Sequence, residues 1–151
     1  MAMPLLIDTD MGVDDAVAIA LALSTDRLSV PALVSVGGNV SLAQASHKIG
    51  RLLSGLAVAE WPLLGRGLDQ PDERLPRAHH VFGPDGLGGV EHDGGERFDA
   101  SARTFTEVYE QALSSHAGEL VVLAIGPLTN LAALVRERPE LLRRASRVIV
   151  M

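Results

Sequence analysis

The sequence has no cysteine, a single lysine (Lys48) and no apolar run long enough to span a bilayer. Without cysteine there is no disulfide, thiolate metal site or cysteine nucleophile to consider, and the redox compartment stays open. With 13 Lys and Arg against 19 Asp and Glu, the formal net charge is −6, and the clustered positive charge that a phosphate backbone needs is missing. Nucleic acid is therefore excluded as the main partner. The N-terminus carries no basic stretch, and the apolar residues Leu5 to Ile7 are cut short by Asp8 and Asp10. Neither a signal peptide nor a membrane partner is expected, and the cytoplasm is the default location. What is present is 47% apolar content in 151 residues, enough to bury the core of one globular domain.

Leu5 to Ile7, stopping at Asp8, reads as a strand buried on both faces, which favours a parallel sheet. After a turn at Met11-Gly12, the apolar positions between Asp14 and Leu23 recur at helical spacing, with Asp14 and Asp15 in the first turn where carboxylates suit the helix dipole. A second strand, Leu28 to Val36, runs into Gly37-Gly38-Asn39 and a helix from Leu42 to Leu56. Pro62 to Leu64 is a short third strand. Residues 65–95, rich in Gly, Pro, Asp and His, read as one long loop of the kind that serves a binding site or lid. A helix from Ala100 to His116, a strand from Leu120 to Ile125, a helix from Leu128 to Val135 and a final strand beginning at Val148 complete the pattern. Strands alternating with helices predict an α/β fold: an open, mainly parallel sheet with a Rossmann-like core and helices on both faces.

Four carboxylates, Asp8, Asp10, Asp14 and Asp15, fall within eight residues where the first strand meets the first helix. Open parallel sheets bind ligands beyond the carboxyl ends of their strands, so this is where a site is expected. Like charges so crowded raise one another's pKa unless a cation neutralises them, and oxygen-only donors point to a hard ion, Ca²⁺ or Mg²⁺. Helix capping alone accounts for two of the four at most.

The segment Leu5-Leu-Ile-Asp8-Thr-Asp10-Met-Gly-Val-Asp14-Asp15-Ala-Val-Ala-Ile19 resembles the N-terminal signature of the inosine/uridine-preferring nucleoside hydrolases. Three further segments resemble that family in the same order: Val36-Gly-Gly-Asn39, Ala78-His-His80-Val-Phe82-Gly-Pro-Asp-Gly-Leu87, and Ala124-Ile-Gly-Pro-Leu-Thr-Asn130. The resemblance covers essentially the whole chain and implies the N-terminal portion of a single such domain over residues 1–151. It implies that Asp10 and Asp15 ligate Ca²⁺ through carboxylate oxygens and that Ile125 adds its backbone carbonyl. Asp14 and Asn39 match the positions that hydrogen-bond ribose hydroxyls, so the implied ligand is a nucleoside and the implied role is nucleoside salvage. Asp10 stands at the position that takes a proton from the attacking water, a chemistry in which the cation lowers the pKa of the water and a carboxylate accepts the proton. His80 falls on a family position near the base. Where the family commonly has a second histidine, this chain has Phe82, so apolar stacking on the base is expected. Asp8 is either an orienting residue behind the ligands or a structural one. Read without the resemblance, Asn39 is a turn residue of positive φ after two glycines.

The family runs to about twice this length, and the resemblance assigns to the second half another metal aspartate, a histidine that assists the leaving base and part of the ribose clamp. Cation affinity and turnover of the 151-residue chain are accordingly expected to fall, and a terminal strand at the sheet edge is expected to favour a homo-oligomer. Two alternatives stand beside the hydrolase. One is a non-catalytic fragment that keeps the fold as a binding or interaction module. The other is a haloacid-dehalogenase-like phosphatase, suggested by Asp8-Thr-Asp10 but opposed by Gly12, by the lack of Ser or Thr after the strand ending at Ile125, and by the lack of any lysine beyond Lys48.

Overall fold

The computed structural model describes residues 2–69 and 95–151. Six strands form one sheet: β1 (Met3–Thr9), β2 (Leu28–Ser35), β3 (Leu63–Arg66), β4 (Arg103–Thr104), β5 (Val121–Ala124) and β6 (Arg147–Val150). Their order is β4-β3-β2-β1-β5-β6 and every pairing is parallel. The helices are α1 (Val13–Ser24), α2 (Leu42–Gly55), α3 (Gly95–Ser101), α4 (Phe105–Ser115), α5 (Thr129–Glu137) and the short α6 (Pro139–Leu142).

Strands of a parallel sheet are covered by helices on both faces, so their side chains are apolar in both directions. Here Leu6, Ala32, Val34 and Val122 pack in one cluster with Val108, Tyr109 and Leu113 of α4 and Leu131 and Leu134 of α5. Leu5, Ile7, Leu33 and Val121 join a second cluster with Ile19 of α1, Ile49 and Leu53 of α2, and Phe98 of α3. Neighbouring residues of β1 thus enter different cores, as the two-residue repeat of a strand requires. The expected open, parallel α/β architecture with helices on both faces is what the chain adopts.

Two expectations need correction. The helix expected from Ala100 to His116 is split by β4, because Thr104 and Glu107 form a capping box. Thr104 Oγ1 accepts the Glu107 amide at 3.4 Å, and the Glu107 carboxylate accepts the Thr104 amide at 3.0 Å. Such a reciprocal cap starts a helix and leaves the residues before it extended, here in register with Gly65 and Arg66. Gly65 and Arg66 likewise belong to β3, where they pair with Val34 and Ser35, rather than to the loop that follows. Most of that expected loop, residues 70–94, lies outside the described residues. No described helix is long and apolar enough to cross a membrane.

The topology positions the site. From β1 the chain steps outward through β2, β3 and β4, then returns to the other side of β1 for β5 and β6. The reversal leaves a crevice beyond the carboxyl end of β1, between the ends of β2 and β5. At the far edge both faces of β6 are partly exposed: Val148 is 40% exposed, Ile149 41% and Val150 54%.

Candidate functional site

Asp8 is the last buried side chain on the α4 and α5 side of β1. Its carboxylate accepts the Tyr109 hydroxyl at 2.8 Å and the Asn130 amide at 3.0 and 3.2 Å. Burial raises the Asp8 pKa from 3.8 to about 7; the bonds from Asn130 and Tyr109 pull it down, and nearby Asp10 pushes it up again. Tyr109, equally buried and facing a carboxylate, has its own pKa raised. Asn130 is a junction. Its Nδ2 also donates to the Ser35 carbonyl at 3.1 Å, and its Oδ1 accepts the Leu68 amide at 2.8 Å. One fully buried side chain therefore ties the ends of β1, β2 and β3 to the start of α5.

Beyond β1 the chain turns sharply into α1. Met11, fully buried, takes φ +55°, a left-handed conformation unusual for a side chain of this kind. The turn is held from three sides: the Met11 amide donates to Thr9 Oγ1 at 3.0 Å, Lys48 Nζ donates to the Met11 carbonyl at 3.0 Å, and the Gly12 amide donates to Asp15 Oδ2 at 2.7 Å. Asp10 Oδ2 accepts the Asn39 amide at 2.6 Å, joining the end of β1 to the loop after β2.

The carboxylates converge on Gly12. A methyl group in place of its hydrogen would lie 2.5 Å from Asp14 Oδ1, 2.8 Å from Asn39 Nδ2 and 3.0 Å from Asp15 Oδ2. A side chain at Gly38 would collide with the Asp10 carboxylate, and one at Gly126 would lie 2.8 Å from the Asp10 amide. The peptide between Ile125 and Gly126 thus runs beside Asp10, where the Ile125 amide donates to the Asp8 carbonyl at 2.9 Å. Bare backbone here lets β5 and the loop after β2 close around Asp10.

Asp15 is buried and its pKa is raised to about 7, by burial first and by Asp10 second. Burial also raises that of Asp10, against the bond from Asn39. Asp15 Oδ1 is a buried oxygen with no hydrogen-bond partner. An orphaned carboxylate oxygen beside a second buried carboxylate is costly unless a proton or a cation satisfies it. Oxygen donors of this kind fit a hard cation. Among the described residues, no three His, Asp or Glu side chains form a group that would hold a metal by themselves. Asp10 and Asp15 supply two carboxylates, and the remaining donors would be backbone, water or residues outside those described.

Of the residues singled out in the sequence, Asp10, Asp14, Asp15, Asn39 and Ile125 are brought together at the switch point of the sheet. His80 and Phe82 lie outside the described residues. Positive φ falls on Met11 and not on Asn39, which holds Asp10 through an ordinary backbone amide. Asp8 is turned away into the α4 and α5 core. Lys48, Tyr109 and Asn130 were not singled out as site residues: the first two sit inside helical apolar patterns, and only the sequence Gly126-Pro-Leu-Thr-Asn130, which opens α5, carried a signal for the third.

Fold and site together define an open parallel α/β protein with a carboxylate-lined crevice at its switch point. The sequence profile of the inosine-uridine preferring nucleoside hydrolases matches residues 5–151, and the chain belongs to that family. It is 32% identical over 151 residues to the pyrimidine-specific ribonucleoside hydrolase RihA of Salmonella enteritidis, covering 100% of this chain and 48% of that protein. Among solved structures it is similar to an inosine-guanosine nucleoside hydrolase, with a TM-score of 0.86 and 29% identity over 100% of this chain and 49% of the other. A plant nucleoside hydrolase, PpNRh1, matches with a TM-score of 0.83 and 28% identity over 99% and 48% of the two chains. The chain spans about half the length of the curated relatives it matches.

Proposed function

We propose that this chain is the cation- and ribose-binding half of an enzyme that hydrolyses the N-glycosidic bond of ribonucleosides to ribose and free base. The observation that carries the reading is the convergence of Asp14, Asp15 and Asn39 about Gly12 at the carboxyl edge of the sheet, with Asp10 joined to them through the Asn39 backbone amide. Asp10 and Asp15 would hold Ca²⁺ through carboxylate oxygens, together with the backbone carbonyl of Ile125, and the orphaned Asp15 oxygen supports that donor set. When bound, the ion supplies positive charge that offsets the crowded carboxylates and lowers the pKa of the attacking water. Asp10 accepts the proton of that water. Asp14 and Asn39 hydrogen-bond the ribose hydroxyls and hold the sugar while positive charge builds at the anomeric carbon. His80 and Phe82 are the contacts proposed for the base.

Relatives named for pyrimidine and for inosine-guanosine substrates match at similar identity, so ribonucleosides as a class are the substrate proposed. The test is a reducing-sugar assay of the purified chain with Ca²⁺ and inosine, uridine, adenosine and cytidine, alongside Asp10→Ala and a chelator. Ribose release lost in both controls is the expected result. Release that persists in Asp10→Ala overturns the assignment of Asp10.

The alternative of a non-catalytic module that keeps this fold is not favoured, since the family profile and the relatives matched are those of hydrolases. Absence of ribose release together with retained Ca²⁺ binding would select it. Self-association through β6 belongs to either reading. The phosphatase alternative is not favoured, since the hydrolase profile runs through both Asp8-Thr-Asp10 and the strand ending before Ile125.

A further inference from the structure

Lys48 stands apart from the residues that would touch a substrate. It lies in α2, in the second strand-helix unit, yet it is only 2% exposed and its Nζ donates to the carbonyl of Met11 in the first unit. Taking an ammonium out of water is unfavourable, and an apolar side chain of similar length would fill the same space without that cost. What distinguishes lysine here is what its Nζ reaches.

It reaches the residue on which the site turns. Met11 is the left-handed residue between Asp10, at the end of β1, and Asp14 and Asp15, in the first turn of α1. Relaxing that residue to an ordinary conformation would redirect α1 relative to β1 and part Asp10 from Asp15. The Thr9 hydroxyl holds the amide side of Met11 and Lys48 the carbonyl side. Because α2 follows directly on the loop that carries Asn39, and Asn39 in turn grips Asp10, the two units are tied at two points, one on each side of the carboxylates.

We infer that Lys48 is a positioning residue that locks the left-handed Met11 turn and thereby holds Asp10 and Asp15 in cation-binding register. This rests on the hydrolase reading for its purpose, though the geometry can be tested without it. The experiment is a crystal structure of Lys48→Met beside wild type and Lys48→Arg, with Ca²⁺ affinity measured calorimetrically for each and thermal unfolding measured in chelator. In Lys48→Met, Met11 should leave positive φ and the Asp10 and Asp15 carboxylates should separate, while the Tyr109 and Asn130 bonds to Asp8 on the opposite face persist. Ca²⁺ affinity should fall by roughly tenfold to a hundredfold, as for other residues that orient ligands. Lys48→Arg, which keeps a donor, should restore part of the turn and of the affinity at a similar unfolding temperature. A Lys48→Met structure with Met11 φ and the carboxylate pair unchanged overturns the inference. If Lys48→Met does not fold, Lys48→Gln takes its place under the same criterion. Failure of the hydrolase reading looks different: the wild-type chain would release no ribose from any nucleoside, whatever the state of the Met11 turn.

Discussion

Replacing Asn130 by alanine removes a fully buried side chain that satisfies three other groups at once. Asp8 loses one of its two side-chain donors, the Ser35 carbonyl loses the Nδ2 bond at 3.1 Å, and the Leu68 amide loses its acceptor at 2.8 Å. A buried polar group left without a partner costs about 1–3 kcal/mol. Because relaxation and water entry share the losses, the three together should lower stability by about 3–5 kcal/mol rather than by their full sum. Single domains hold only about 5–15 kcal/mol in total, so this is a large fraction. Urea denaturation followed by far-ultraviolet circular dichroism reads it as a lower midpoint at constant slope. Asn130→Asp should be worse above pH 7, since it sets a second carboxylate against Asp8 in place of a donor. A midpoint for Asn130→Ala that corresponds to less than about 0.5 kcal/mol would refute the view that Asn130 joins the strand ends.

Two further outcomes follow from the same structure. Asp8 and Asp15 are each displaced by burial from 3.8 to about 7, so between those values the folded chain keeps protons that the unfolded chain has released. The stability these groups contribute is therefore fully present below 3.8, is lost as pH rises and levels off above about 7. Urea titrations in chelator at pH 5 and pH 8 should show the decline and Asp8→Asn should reduce it, leaving the share due to Asp15; a wild-type chain no less stable at pH 8 contradicts the assignment. At the sheet edge, Val148→Lys with Val150→Lys should reduce self-association, bringing the weight-average mass in sedimentation equilibrium towards 16.0 kDa. A wild-type chain that already sediments at 16.0 kDa at all concentrations removes the edge as an interface.

Much of this was legible in the chain itself, because it is local. Apolar runs bounded by Gly and Asp marked the buried strands, helical spacing marked α1, α2 and α5, and their alternation required a parallel sheet with its site beyond the carboxyl ends. Asp10, Asp14 and Asp15 are near neighbours in sequence, so no fold could keep them far apart. The late start of α4 was also written there, in Thr104 and Glu107, but periodicity masks a cap that falls between two helices. What the tertiary structure alone decided is which distant groups complete that cluster. Lys48, Tyr109 and Asn130 arrive from three different helices, separated from the residues they bond by 37 to 122 residues. Composition and spacing cannot show that a lysine in an apolar helix face ends on the Met11 carbonyl, or that one asparagine serves three strand ends. Those pairings exist because buried polar groups must find partners, and only the packed sheet determines which partners are within reach.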